Sequence, residues 1–269
     1  KRNRKAREKG SVMQLGDKRC FVLDMDGTIY LGNNPIEGAV SFIQRHWNRV
    51  DFHFLSNNTS KAPATYVRKL NGMGIPATPD RLLSPVTPLI DFLRAERIHT
   101  AYVVGNRDFS ADLQARMPEL RQAEDGAQAV ILAYDTELTY EKLSRSALLL
   151  QRPEVVFLAT HPDLVCPSPE GPLPDVGSFL ALYQTAVGRR PQRIFGKPDP
   201  TVLAPLLRRY SKEDMVMVGD RLSTDKLLAE NAGIDFLLVL SGEARREDLP
   251  GLARQPTLVV EHLGELDKA

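Results

Sequence analysis

Cysteine is nearly absent. Only Cys20 and Cys166 occur in 269 residues, which gives no disulfide framework and sets aside the small stapled secreted folds. Long apolar runs are missing too. No stretch approaches membrane-spanning length and no apolar segment of signal-peptide type heads the sequence, so a cytoplasmic protein without a membrane partner is expected. Nor does either charge dominate. Lys and Arg number 35 against 34 Asp and Glu, a net charge of +1 that argues against a nucleic-acid surface. The exception is local: Lys1 to Lys9 holds six basic residues and one Glu, so residues 1–17 are expected to be a flexible basic arm. Histidine is sparse, and His46, His53, His99, His161 and His262 lack metal-ligand spacing. With 42% apolar and 26% charged residues, the chain reads as a globular protein of one large or two smaller domains.

From residue 20 onward, short apolar runs alternate with segments of helical period. Strands are expected at 20–23, 52–55, 101–104, 130–133, 155–159, 193–195, 215–218, 236–240 and 257–260. Helices are expected at 38–47, 63–70, around Phe92 and Leu93, and at 108–117, 139–151, 178–187, 201–210 and 224–231. This rhythm predicts an α/β fold with a doubly wound, Rossmann-like parallel sheet. Leu148 to Leu150 reads as core, and Gly72-x-Gly74 as a helix stop rather than a dinucleotide fingerprint.

Four strand ends carry polar side chains. The first apolar run ends in Asp24-Met25-Asp26-Gly27-Thr28. Alternate residues of an extended chain point the same way, so Asp24 and Asp26 face one site. Two acids so placed repel unless a cation or a shared proton relieves them. The second end is Ser56-Asn57-Asn58, which reads as a cradle for phosphate oxygens or as an N-cap cluster for the next helix. At the third, Gly196-Lys197-Pro198, the flanking residues pin a lysine suited to offsetting phosphoryl and carboxylate charge. The fourth is Gly219-Asp220, with Asp225 beyond it in a first helical turn, where it complements the dipole or serves the site.

In that order, the four motifs resemble the haloacid dehalogenase superfamily. The stretches Asp24 to Tyr30, Ser56-Asn57-Asn58, Ala101 to Gly105, His161-Pro162-Asp163, Gly196-Lys197-Pro198 and Gly219-Asp220-Arg221-Leu222 resemble its NagD-like, or para-nitrophenyl phosphatase, branch. The resemblance implies a phosphatase in which Asp24 attacks phosphorus to form an aspartyl-phosphate. Asp26 then serves as acid to the leaving oxygen and as base to water. It implies Mg²⁺ held by the Asp24 carboxylate, the Asp26 backbone carbonyl and Asp220, with Asp225 orienting a bound water or Lys197. It further implies that Ser56, Asn57 and Asn58 bind phosphoryl oxygens and that Lys197 neutralises the transferring group.

About 140 residues separate Ser56 from Lys197, far more than one crossover needs. Residues 18–84 and 191–269 are therefore expected to form the core and residues 85–190 an inserted domain, which the resemblance makes an α/β cap. Asp163, Asp175 and Ser178 are the cap's candidates for facing the site, although the Pro and Gly of 167–177 also suit a plain surface loop. The expected partner is a small phosphorylated metabolite of the sugar, polyol or nucleoside monophosphate class. A homodimer through the cap is expected from the resemblance. Two other functions stay open here, a phosphotransferase using the same intermediate and a non-catalytic regulatory protein of this fold.

Overall fold

The chain lays down strands β1 (Cys20–Asp24), β2 (Asp51–Leu55), β3 (Leu82–Leu83), β4 (Thr100–Val104), β5 (Arg121–Gln122), β6 (Ala129–Leu132), β7 (Val156–Ala159), β8 (Arg193–Ile194), β9 (Met215–Gly219), β10 (Asp235–Val239) and β11 (Leu258–Val260). The structure, a computed structural model, describes residues 18–168 and 170–267, and the basic arm expected over 1–17 lies outside them. These strands form two all-parallel sheets, a larger one ordered β11-β10-β9-β1-β2-β3 and a smaller one ordered β8-β7-β6-β4-β5.

Parallel sheets are covered on both faces, which is why their strands read as unbroken apolar runs. Phe21 and Leu23 of β1 join Phe52, Phe54, Val216 and Val218 under helices Ala39–His46 and Pro63–Gly72. Cys20 and Val22 point the other way, with Met215 and Met217, onto Val202, Leu206 and Leu228. Burying each large apolar side chain contributes about 1.5–3 kcal/mol, so a one-residue slip of β1 would be severe. The smaller sheet is built alike. Ala101, Ala129 and Ile131 meet helices Val86–Ala95 and Arg107–Arg116, while Val130, Leu132 and Phe157 meet Tyr140–Leu150 and Val176–Val187. Among the described residues no helix is long and apolar enough to cross a membrane.

Several expectations shift. The return to the larger sheet falls later than residue 191: Arg193 and Ile194 pair with Leu158 and Ala159, and Phe195 is buried in the smaller sheet's core. The helix expected at 201–210 is a 3₁₀ turn, Pro200–Leu203, running into the short Ala204–Leu207. The one expected at 224–231 begins as a widened π turn, Leu222–Lys226, in which Lys226 N–H donates to Arg221 O at 3.1 Å. Such a turn re-aims side chains, here that of Asp225. Leu148 is 58% exposed, so only Leu149 and Leu150 of that triplet join the core.

Candidate active site

Neighbouring strands of a parallel ladder end level with one another. Asp24 pairs with Leu55, and Leu23 with Val218, so Ser56 and Asp220 flank Asp24 just past the strand ends. The larger sheet reverses its order between β1 and β9, and there a doubly wound sheet opens its crevice.

Lys197 is 3% exposed, and its ammonium bridges Asp24 Oδ1 and Asp225 Oδ1, the latter at 2.7 Å. Asp225 Oδ2 takes the Arg221 N–H at 3.0 Å, so both its oxygens are engaged. Asp220 Oδ2 takes the Glu243 N–H at 2.7 Å, but its Oδ1 is buried with no partner among the described residues. Oxygens of Asp24, Asp220 and Asp225 lie within 4.8 Å of one another. One ammonium thus faces three carboxylates. Burial pushes the Asp24 carboxyl well above its ordinary value; Lys197 pulls it down, and Asp225 and Asp220 push it up again. Asp220 is pushed up to about 7, first by burial and then by Asp225. Burial lowers Lys197, but Asp225 and Asp24 outweigh that and hold it charged. A buried, unpartnered carboxylate oxygen amid excess negative charge suits a hard divalent cation, and Asp220 and Asp24 are the pair to hold it. Glycine keeps the space clear. At Gly27, with φ +84°, a Cβ would lie 2.5 Å from Asp220 Oδ2, and one at Gly242 would also strike that carboxylate.

Ser56, Asn57 and Asn58 do different jobs. Asn57 Oδ1 takes the Lys197 N–H at 2.7 Å, and Asn57 Nδ2 donates to Lys197 O at 3.0 Å and to Asp163 Oδ2 at 3.2 Å. Its side chain clamps the lysine's backbone and has no donor left for phosphate. A Cβ at Gly196 would sit 2.5 Å from Asn57 Oδ1, so the glycine of Gly-Lys-Pro makes room for this clamp. Asn58 Oδ1 takes Ser60 N–H at 2.9 Å and Ser60 O–H at 2.7 Å, the closed turn of an Asx motif. Ser56 Oγ accepts from Asn58 N–H at 3.2 Å and keeps its own hydroxyl hydrogen to donate. Asn58 Nδ2 faces the cleft, donating to Cys166 Sγ at 3.8 Å, so the expected cradle narrows to the Ser56 hydroxyl, the Asn58 amide and backbone N–H groups. Beyond it lies a cleft lined by Asp24, Asp26, Ser56, Lys197 and Arg221 on one side and by Asp163, Cys166 and Asp175 on the other.

Residues 21–116 match the family described as haloacid dehalogenase-like hydrolase, and residues 194–266 one described as HAD-hydrolase-like. The acid sugar phosphatase of Staphylococcus haemolyticus is 31% identical over 88% of this chain and 90% of its own. The chain belongs to the haloacid dehalogenase superfamily. Among solved structures, the 4-nitrophenylphosphatase of Thermotoga maritima is 37% identical, with a TM-score of 0.87 over 94% of this chain and 98% of that one. A glycerol phosphate phosphatase of Mycobacterium tuberculosis in complex with magnesium is 27% identical, with a TM-score of 0.84 over 93% of this chain and 76% of that one. These neighbours place it in the NagD-like phosphatase branch, an enzyme fold with a haloacid dehalogenase core and an α/β cap.

Within this superfamily member, Asp26 is exposed to the cleft. The surrounding cleft wall partly desolvates its carboxyl group and raises its pKa, with Lys69 and Arg221 opposing. Lys69 Nζ sits 3.4 Å above the Tyr30 ring and donates to Gly32 O at 2.6 Å. Lys69 and the cleft-lining Tyr66 lie three apart on one helix face, a spacing visible in the sequence and not drawn out from it. Arg221 was hidden beside Asp220; it lies 3.1 Å from Glu243 and 3.8 Å from Asp163 of the cap. Ser178 turns away, donating to Leu164 O at 2.7 Å. Burial pushes the Cys166 thiol up, which leaves it a poor nucleophile.

Proposed function

We propose that this chain is a Mg²⁺-dependent phosphomonoesterase of small phosphorylated metabolites, of the sugar, polyol or nucleoside monophosphate class, working through an aspartyl-phosphate on Asp24. The observation that carries the reading is the buried set of one lysine and three aspartates at the crevice, with one Asp220 oxygen unpartnered among the described residues. Lys197 occupies Asp24 Oδ1 and orients the carboxylate, leaving the other oxygen to attack phosphorus. As the new O–P bond forms, the ester O–P bond breaks, and Asp26 gives its proton to the departing alkoxide. Asp26, now a carboxylate, takes a proton from water as that water attacks phosphorus, which frees Asp24 and releases inorganic phosphate. Lys197 and Ser56 O–H offset charge on the phosphoryl oxygens, while Asn57 and Asp225 hold Lys197 in place. Mg²⁺ held by Asp24, Asp220 and the Asp26 backbone carbonyl would supply further charge neutralisation.

The test is phosphate release from sugar phosphates, polyol phosphates, nucleoside monophosphates and 4-nitrophenyl phosphate, with Mg²⁺, with EDTA, and with Asp24→Asn. Metal-dependent turnover that the substitution abolishes supports the reading. Turnover surviving Asp24→Asn removes the nucleophile assignment, and no turnover of any compound favours a non-catalytic protein.

A further inference from the structure

The cap's wall of the cleft carries two carboxylates that the chemistry above leaves unused. Asp163 and Asp175 line it beside Val165, Cys166 and Pro167. Behind Asp175 lies His161, fully buried, with Nε2 2.9 Å from Asp175 Oδ1 and Nδ1 2.9 Å from Thr160 Oγ1. The Tyr134 backbone N–H donates to Thr59 Oγ1 at 3.1 Å, and Thr59 Oγ1 lies 3.4 Å from Thr160 Oγ1. Thr160 Oγ1 and Asp175 Oδ1 thus hold the two ring nitrogens of His161 from either side. These contacts fix the ring and, through Nε2, the Asp175 carboxyl group.

With both nitrogens hydrogen-bonded, His161 offers no free ligand atom to a metal, although it lies within 4.8 Å of oxygens on Asp163 and Asp175. The cluster is instead a set of acceptors. Asp175 Oδ1 also takes the Val176 N–H at 2.6 Å, capping helix Val176–Val187. Its Oδ2 takes no hydrogen bond among the described residues, and its 3% residual exposure opens on the cleft. Asp163 Oδ2 is held by Asn57, and its Oδ1 is likewise without a donor among the described residues. The cation facing this wall, Arg221, is already shared between Glu243 and Asp163.

We propose that Asp175 and Asp163, with His161 as the positioning residue of Asp175, select the leaving group. They accept hydrogen bonds from the hydroxyls of a neutral sugar or polyol and repel a leaving group bearing a second phosphate. The inference rests on the phosphomonoesterase reading and narrows its substrate class to hydroxyl-rich monophosphates.

The experiment measures kcat and KM of the full chain for glycerol 3-phosphate, glucose 6-phosphate, fructose 1,6-bisphosphate and 4-nitrophenyl phosphate. Asp175→Asn keeps the shape and a good helix cap while removing the charge. The efficiency ratio of the better monophosphate to the bisphosphate is expected to fall about tenfold or more, carried by KM, because a hydrogen bond to a charged acceptor is lost and a repulsion relieved. Asp163→Asn shifts the ratio the same way. His161→Gln, which retains a donor, holds the ratio better than His161→Phe. A ratio does not depend on how much of a variant folds. Hydrolysis with an unchanged ratio in both Asp variants, or a native preference for the bisphosphate, overturns this proposal alone. No hydrolysis of any probe by the unaltered chain removes the phosphomonoesterase reading and this proposal with it.

Discussion

Counted within itself, the larger sheet has strand order 3-2-1-4-5-6 and the smaller 2-1-3-4-5, so each has one reversal where a crevice opens beyond the strand ends. The two crevices have opposite fates. Between β1 and β9, carboxylates crowd one lysine and an Asp220 oxygen stays unpartnered among the described residues. Between β4 and β6, the polar groups are satisfied. Asn106 Oδ1 takes Phe109 N–H at 3.0 Å, and its Nδ2 donates to Ser60 O at 2.8 Å and Thr136 Oγ1 at 3.0 Å; Asp135 holds Lys142 at 2.7 Å. The loop that follows β2, through Thr59 and Ser60, fills the smaller sheet's crevice. Topology supplies two openings of the same kind, and the chemistry of the strand ends makes one a site and the other a joint.

If that contrast holds, substitutions in the first crevice remove chemistry and spare the fold, and substitutions in the second do the reverse. The largest effect is expected at Asp24→Asn, about three orders of magnitude or more in kcat/KM. Its Tm in EDTA should be no lower than that of the unaltered chain, because one of three crowded charges is gone; a drop beyond about 4 °C breaks the comparison. Asn106→Ala should lose about 2 kcal/mol in urea unfolding, from the helix cap and the stranded Ser60 carbonyl, with kcat changed only a few-fold. A large kcat loss there would mean that the joint also shapes the site.

His53 belongs to neither crevice and gives a baseline. Both its ring nitrogens are buried without a partner among the described residues, and its pKa is lowered to about 4, by burial first and then by Arg81 and Arg209. The unfolded chain takes this proton near pH 6.5 and the folded chain only near pH 4. The stability that neutral His53 brings is therefore complete above pH 6.5 and is lost as pH falls toward 4, about 2 kcal/mol by pH 5. His53→Leu should flatten that acid slope, and urea midpoints at pH 7.5 and pH 5 will show whether it does. The smallest effect is expected at Thr59→Val, about 1 kcal/mol, since it removes the acceptor for Tyr134 N–H without changing shape.

The gathering of Asp24, Asp26, Lys197 and Asp220 at one crevice was legible in the sequence because each interrupts or follows an apolar run, and buried strands tolerate such residues only at their ends. Asn57 was legible as a residue of this crevice but not in its hydrogen bonds. An amide that clamps a backbone and one that binds phosphate look alike until the partner, 140 positions away, is known. His161 reads as an ordinary histidine because its network draws on Thr59, Thr160 and Asp175, which no local pattern joins. Strands β3 and β5 have two residues each, too few to show a period. The return crossing was placed early because the Arg193–Ile194 strand carries no mark of which sheet it joins.

The pairing of β1 with β9 also has a consequence during synthesis. β1 ends at Asp24 and β9 begins at Met215, so about 190 residues are made before the strand gains its second neighbour. At roughly 5–20 residues per second, that interval is about 10–40 s. Throughout it, Cys20 to Leu23 form an apolar edge, the kind of template that invites pairing with another chain. The strand that ends in the proposed nucleophile is thus a part of the nascent protein in need of shielding.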